Sequence, residues 1–153
     1  MVLAVGLGLL KPSLELTDED LDRLLEANLK AAFVVCQVAG RALAERGGGT
    51  IVAIPGILGR TAMRSAAGYC AAKHALVGLL KGMALDLQRQ NIRFSLLYLG
   101  GVDTPFWDTI DLRVQREKML RPEDAGRWVV ESLSPGANGV VGELVIQPVS
   151  HQL

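Results

Sequence analysis

An α/β fold, a parallel sheet of about four strands with helices packed on it, is predicted by three observations. Four short runs rich in Val, Ile and Leu lie at residues 2–5, 50–54, 92–98 and 140–147. Several of them lack polar alternation, as strands buried on both faces do. Segments of helical periodicity separate the runs, and strand–helix alternation of this kind builds a parallel sheet. No repeat, low-complexity tract or long linker interrupts the 153 residues, so a single domain is expected over residues 1–153.

The opening "MVLAVGLGLL" has no basic residue ahead of its apolar run and no small-x-small pattern behind it. It reads as a buried strand entering a loop rather than as a leader. The helix that follows is signalled by Thr17 three residues before Asp20, a variant of the capping box, and by Gly47, Gly48 and Gly49 at its end. Leu21, Leu24, Leu25, Asn28, Leu29 and Ala32 share one face of it, so Asn28 is a polar residue on an apolar stripe. A second helix is expected over about Ser65 to Gln90. A third begins at "RPEDAGRWVVESL", where Pro122 suits a first turn and Glu123 and Asp124 suit the positive helix end.

Sixteen acidic and sixteen basic residues balance, and no local basic run stands out, which argues against nucleic-acid or anionic-membrane partners. No apolar run has membrane-spanning length. Cys36 and Cys70 make no disulfide framework, and two His residues offer no metal-ligand spacing, so a soluble protein of the reducing cytoplasm is expected, with no metal.

Tyr69 and Lys73 stand four apart at the head of the second helix, so both side chains reach one face. A phenol titrates near 10, and a nearby ammonium favours its phenolate; such a pair can move a proton to or from a hydroxyl or carbonyl oxygen. Tyr-x-x-x-Lys alone also arises by chance. The surroundings distinguish it: "LEANLKAAFVV", "GTIVAI", "GYCAAKHALVGLLKGMALDL", "IRFSLLYLGGVDTPFW" and "GELVIQP" occur in the order and at the spacings of the second half of a classical short-chain dehydrogenase/reductase. The chain resembles that family over nearly its whole length. The resemblance implies a Rossmann-type, doubly wound sheet, NAD or NADP as hydride carrier, and an alcohol or ketone substrate.

Carried over by residue, the resemblance implies that Tyr69 is the acid/base, that Lys73 lowers its pKa and binds the nicotinamide ribose, and that Asn28 holds a proton-relay water near Lys73. Gly6, Gly100, Val102 and Thr104 would meet the cofactor, Val102 through its backbone. Two bland readings stand beside these: Asn28 as a helix residue satisfied by backbone, and Thr104 as a turn starter before Pro105. The segment "PFWDTIDLRVQREKML" matches the family's substrate lid, in which Phe106, Trp107, Ile110 and Leu112 would form an apolar wall. Equally, Trp107 would bury its ring against the sheet. No charged residue of that wall points to an acidic substrate.

Three departures from the family's pattern stand out. The family's catalytic Ser falls, 13 positions before Tyr69, on Gly56, and Thr61 or Ser65 would replace it only by leaving ordinary turn and cap roles. Asn-Asn-Ala-Gly becomes "LAVG" at Leu3–Gly6, and Pro-Gly becomes Leu99-Gly100. The glycine-rich phosphate turn of the first strand and helix, with about 80 residues around it, has no counterpart, which implies a truncated member with an exposed edge strand. The helices over residues 17–46 and 68–90 carry Phe33, Val34, Val35 and Val38, and Leu76, Leu79, Leu80 and Met83, and would form a homo-oligomer. Filling a monomer's own core is the competing use. The alternatives to an impaired oxidoreductase are a non-catalytic remnant that serves as an oligomerisation or interaction module, and a gene fragment without independent function.

Overall fold

The computed structural model describes residues 1–134 and 138–150. Its elements are β1 (Val2–Leu3), α1 (Asp18–Leu25), α2 (Ala31–Glu45), β2 (Gly49–Ala53), α3 (Ala67–Leu87), β3 (Ile92–Leu99), α4 (Pro122–Leu133) and β4 (Glu143–Ile146). The four strands form one parallel sheet in the order β1-β2-β3-β4. β1 is shorter than the apolar run suggests. After Leu3 accepts from the Ile54 amide at 3.0 Å, the chain leaves the sheet towards α3, where the Lys11 amide donates to the Ser65 carbonyl. β1 is therefore a two-residue edge strand, with Val2 exposed.

Thr17 caps α1 as its sequence suggests: its hydroxyl accepts from the Asp20 amide, and the Asp20 carboxylate accepts from the Thr17 amide, each at 3.2 Å. The expected single long helix is broken in register at Glu26–Lys30, where one π-helical turn joins α1 to α2. Asn28 lies in that turn and is fully buried. Single π turns inside helices recur at functional positions.

Strand side chains alternate between two cores. Ile51, Ala53, Phe94, Leu96 and Tyr98 face Ala32, Cys36, Leu76 and Leu80 of α2 and α3. Val52, Leu97 and Leu99 face Ala125 of α4 on the other side. The steps from β2 to β3 and from β3 to β4 run the same way along the sheet while α3 and α4 lie on opposite faces. One of these two crossovers thus has the uncommon left hand. The long segment between β3 and α4 makes this possible by passing over the carboxyl ends of the strands, where ligands bind in open α/β sheets.

Leu76 and Leu80, assigned to a subunit interface by sequence, belong to the core beneath α3, with Leu79 and Met83 packed against it. Of the residues so assigned, Phe33, Val34, Val35 and Val38 on α2 remain exposed. Both cysteines are free and buried, and among the described residues no helix is long and apolar enough to cross a membrane.

Candidate functional site

Six of the seven expected site residues, Gly6, Tyr69, Lys73, Gly100, Val102 and Thr104, line one cavity of about 790 Å³ at the carboxyl edge of the sheet. The seventh, Asn28, stands behind Gly6. Its amide nitrogen donates to the carbonyls of Leu7 and Leu24, each at 2.9 Å, and its Oδ1 accepts from the Leu7 amide at 3.2 Å. Three of the four hydrogen bonds that the Asn28 amide can make thus go to backbone, and they pin the loop after β1 to the π turn. A Cβ added at Gly6 would fall 2.6 Å from Asn28 Oδ1 and 2.8 Å from Lys73 Nζ. Only glycine fits in that place.

Lys73 is 3% exposed, and among the described residues its ammonium makes no hydrogen bond or ion pair. Its contact is with the Tyr69 ring, whose centroid lies 5.5 Å away. Burial pushes the Lys73 pKa down to about 8. Isolating an ammonium in this way costs several kcal/mol, so packing alone does not explain the residue.

The expectation that Lys73 lowers the Tyr69 pKa is not met in the chain as it stands. Burial of Tyr69, helped by Cys70, pushes the phenol up to about 12. The ammonium faces the ring and makes no hydrogen bond to the phenol oxygen, so desolvation outweighs its attraction. Part of the burial comes from the lid: the Phe106 ring lies 6.1 Å from that of Tyr69, tilted by 43°. Phe106 in turn meets Trp107 edge to face at 5.3 Å.

The Val102 carbonyl accepts the Trp107 indole N–H at 2.8 Å and, more weakly, the Thr104 hydroxyl at 3.5 Å. Both uses are local, which leaves the Val102 N–H as its backbone group for a ligand. Gly100 lies close to the chain beyond β4, and a Cβ there would meet Pro148 at 2.8 Å.

Gly56 lines the cavity where a hydroxyl would be needed, with φ 76° and ψ 169°, a region essentially confined to glycine. Neither neighbouring hydroxyl replaces it. Thr61 donates back to the Ile57 carbonyl at 3.2 Å, and Ser65 is exposed away from the cavity wall. Restoring serine at position 56 is therefore expected to cost about 1–3 kcal/mol of stability and to leave turnover no higher. Urea denaturation and a rate assay on Gly56→Ser check this; a faster enzyme of unchanged stability would contradict it.

Sequence reasoning missed three parts of the site. The π turn has no periodic signature. Arg116 joins Asp103, Asp108 and the Thr104 carbonyl across an irregular segment. Arg113 and Lys118 also line the cavity, charges that the reading of an apolar wall without a pointer to an acidic substrate did not include.

The carboxyl edge of the parallel sheet thus holds a Tyr–Lys pair on α3, beneath the long segment between β3 and α4. The family model described as short chain dehydrogenase matches residues 1–114, and the chain belongs to that family. It is 30% identical over 145 residues to sepiapterin reductase of Chlorobaculum tepidum, an alignment covering 95% of this chain and 59% of that protein. Among solved structures, the alcohol dehydrogenase of Thermococcus sibiricus complexed with 5-hydroxy-NADP superposes with a TM-score of 0.87 at 24% identity, over 99% of this chain and 63% of the other. The 4-hydroxyisoleucine dehydrogenase complexed with NADH gives 0.78 at 26% identity, over 99% and 69%. The chain spans 51–59% of the length of the first curated relatives it matches.

Proposed function

We propose that this chain carries the nicotinamide half of an NAD(P)-dependent oxidoreductase site that interconverts an alcohol and a ketone. The observation that carries the reading is the buried Lys73 over the Tyr69 ring, without an ion partner among the described residues, on the wall of the cavity and with Gly6 packed close against its ammonium. A nicotinamide ribose would suit that place: its hydroxyls would offer the ammonium acceptors, and Val102 and Thr104 line the same cavity. The fit extends to that half only, because the sequence has no glycine-rich strand-to-helix turn for the pyrophosphate. When bound, the nicotinamide would supply or accept the hydride.

The chain's own residues would handle the proton. Tyr69 Oη, protonated at neutral pH, donates to the carbonyl oxygen as charge develops on it. Lys73 stabilises the phenolate left behind, and with a pKa of about 8 it exchanges protons near neutrality. Asn28 takes no proton; it holds the Leu7 backbone and so keeps Gly6 against Lys73. Phe106 and Trp107 keep water from the phenol.

Calorimetric titration with NADH and with NADPH tests this reading. Micromolar binding by either is the expected result, and no heat up to millimolar nucleotide would overturn it. A second reading, an oligomerisation module, is favoured by the exposed Phe33, Val34, Val35 and Val38 on α2.

A further inference from the structure

We propose that the alcohol or ketone taken by this site carries an anionic group, a carboxylate or phosphate, which Arg113 and Lys118 hold at the cavity wall; this rests on the oxidoreductase reading above. Among the described residues the charged ones lining the cavity are Lys73, Arg113 and Lys118, with no Asp or Glu beside them. Lys73 lies beside Tyr69, where the reacting oxygen would be. Arg113 and Lys118 come from the lid, the segment between β3 and α4, and among the described residues neither side chain makes an ion pair.

The lid is not short of carboxylates, and what neutralises them is Arg116. Its Nε donates to Asp103 at 2.5 Å, its Nη1 to Asp108 at 2.7 Å and its Nη2 to the Thr104 carbonyl at 3.0 Å. The remaining two, Asp111 and Glu117, are exposed and off the wall. One arginine thus takes up both carboxylates at the start of the lid and leaves two cations without partners. The lid base is closed by hydrogen bonds of 2.9 Å from the Asp103 amide to the Leu120 carbonyl and from the Leu120 amide to the Gly101 carbonyl. The two cations are therefore carried on a tethered segment whose other wall residues are mostly apolar, Phe106, Trp107, Leu112 and Val114 among them, with Thr104 and Gln115 as its polar members. An apolar body with an anionic end matches that surface, and a cleft lined by one sign of charge concentrates ligands of the other.

Two kinds of anion meet this description, the substrate's own group and the phosphates of the dinucleotide. Arg113 and Lys118 share their segment with Phe106, the ring packed on Tyr69, and on that ground we assign them to the substrate's group.

The test compares a medium-chain keto acid with its methyl ester as substrates, using NADH or NADPH, in the wild type, in the Arg113→Gln/Lys118→Gln double variant and in Arg41→Gln, an exposed control on α2. The wild type should favour the acid in kcat/KM by about tenfold, the worth of two partly exposed ion pairs. The double variant should lose that preference, and Arg41→Gln should retain it. Equal use of acid and ester by the wild type overturns the proposal. So does a double variant that keeps the preference but binds NADH more weakly, since the cations would then serve the dinucleotide. If neither probe is reduced, tryptophan fluorescence is followed during titration with a saturated medium-chain carboxylate and its methyl ester. Carboxylate binding that depends on Arg113 and Lys118 upholds the anion site while the oxidoreductase reading fails; equal or absent binding overturns the anion site itself.

Discussion

Tyr69→Phe is expected to reduce turnover by about 10²- to 10⁴-fold, the usual worth of a positioned proton donor, while leaving nucleotide binding and folding nearly unchanged. The ring makes the packing contacts, with Phe106 at 6.1 Å and Lys73 over its face, and phenylalanine keeps the ring. No hydrogen bond to the Tyr69 hydroxyl exists among the described residues, so its removal orphans no other group. The pKa of about 12 also sets a direction. At neutral pH the phenol holds its proton and is ready to donate, which suits carbonyl reduction. Alcohol oxidation needs the phenolate, so its rate should climb with pH over the whole range in which the chain stays folded. Rates measured in both directions across that range check this, and an oxidation rate independent of pH would argue against Tyr69 as the base.

Lys73→Met should make the chain more stable at neutral pH while removing its activity. Lys73 is 3% exposed and among the described residues its ammonium has no ion partner, a net cost to folding, and a straight apolar chain of similar length fills the same space without it. Replacing buried charge by apolar groups gains about 1–4 kcal/mol in comparable cases. The wild type should show the same cost as a pH dependence. Below pH 8 the folded chain bears the whole cost of the buried charge. Between about 8 and 10.5 the folded chain sheds the proton that the unfolded chain still holds, so stability rises with pH. Tyr69 acts in the opposite sense from 10.0 upward, because the unfolded phenol ionises while the buried one keeps its proton to about 12. Urea denaturation should therefore show the wild type gaining about 2 kcal/mol between neutral pH and about pH 9.5, with the Lys73→Met variant flat over that interval. A wild type equally flat would mean that Lys73 is solvated or paired in solution.

Much of this was legible in the sequence because it rests on period and spacing. The strand–helix alternation, the Thr17–Asp20 cap, the buried stripe through Leu24, Asn28 and Ala32, and the Tyr69–Lys73 pair are all local patterns, and the structure contains each of them. Other features depend on where the chain goes after a pattern ends. The turn at Glu26–Lys30 breaks the register without breaking the helix, and no residue preference announces it. Gly56 reads as a lost hydroxyl, yet its backbone at φ 76° shows that a serine would also be strained there. Leu76 and Leu80 look like spare apolar surface until the sheet is placed beneath them. Arg116 meets Asp103 and Thr104 across more than ten residues of aperiodic chain, a contact that only the folded lid reveals.

The proposed hydride-transfer reading has a direct test. Deuterated NADH or NADPH, labelled at the transferable position, is incubated with the chain and a ketone, and the alcohol is examined by mass spectrometry for carbon-bound deuterium. The account predicts label in the alcohol from the wild type and none above background from Tyr69→Phe. Label delivered equally by both, or by neither when calorimetry shows the nucleotide bound, would contradict it.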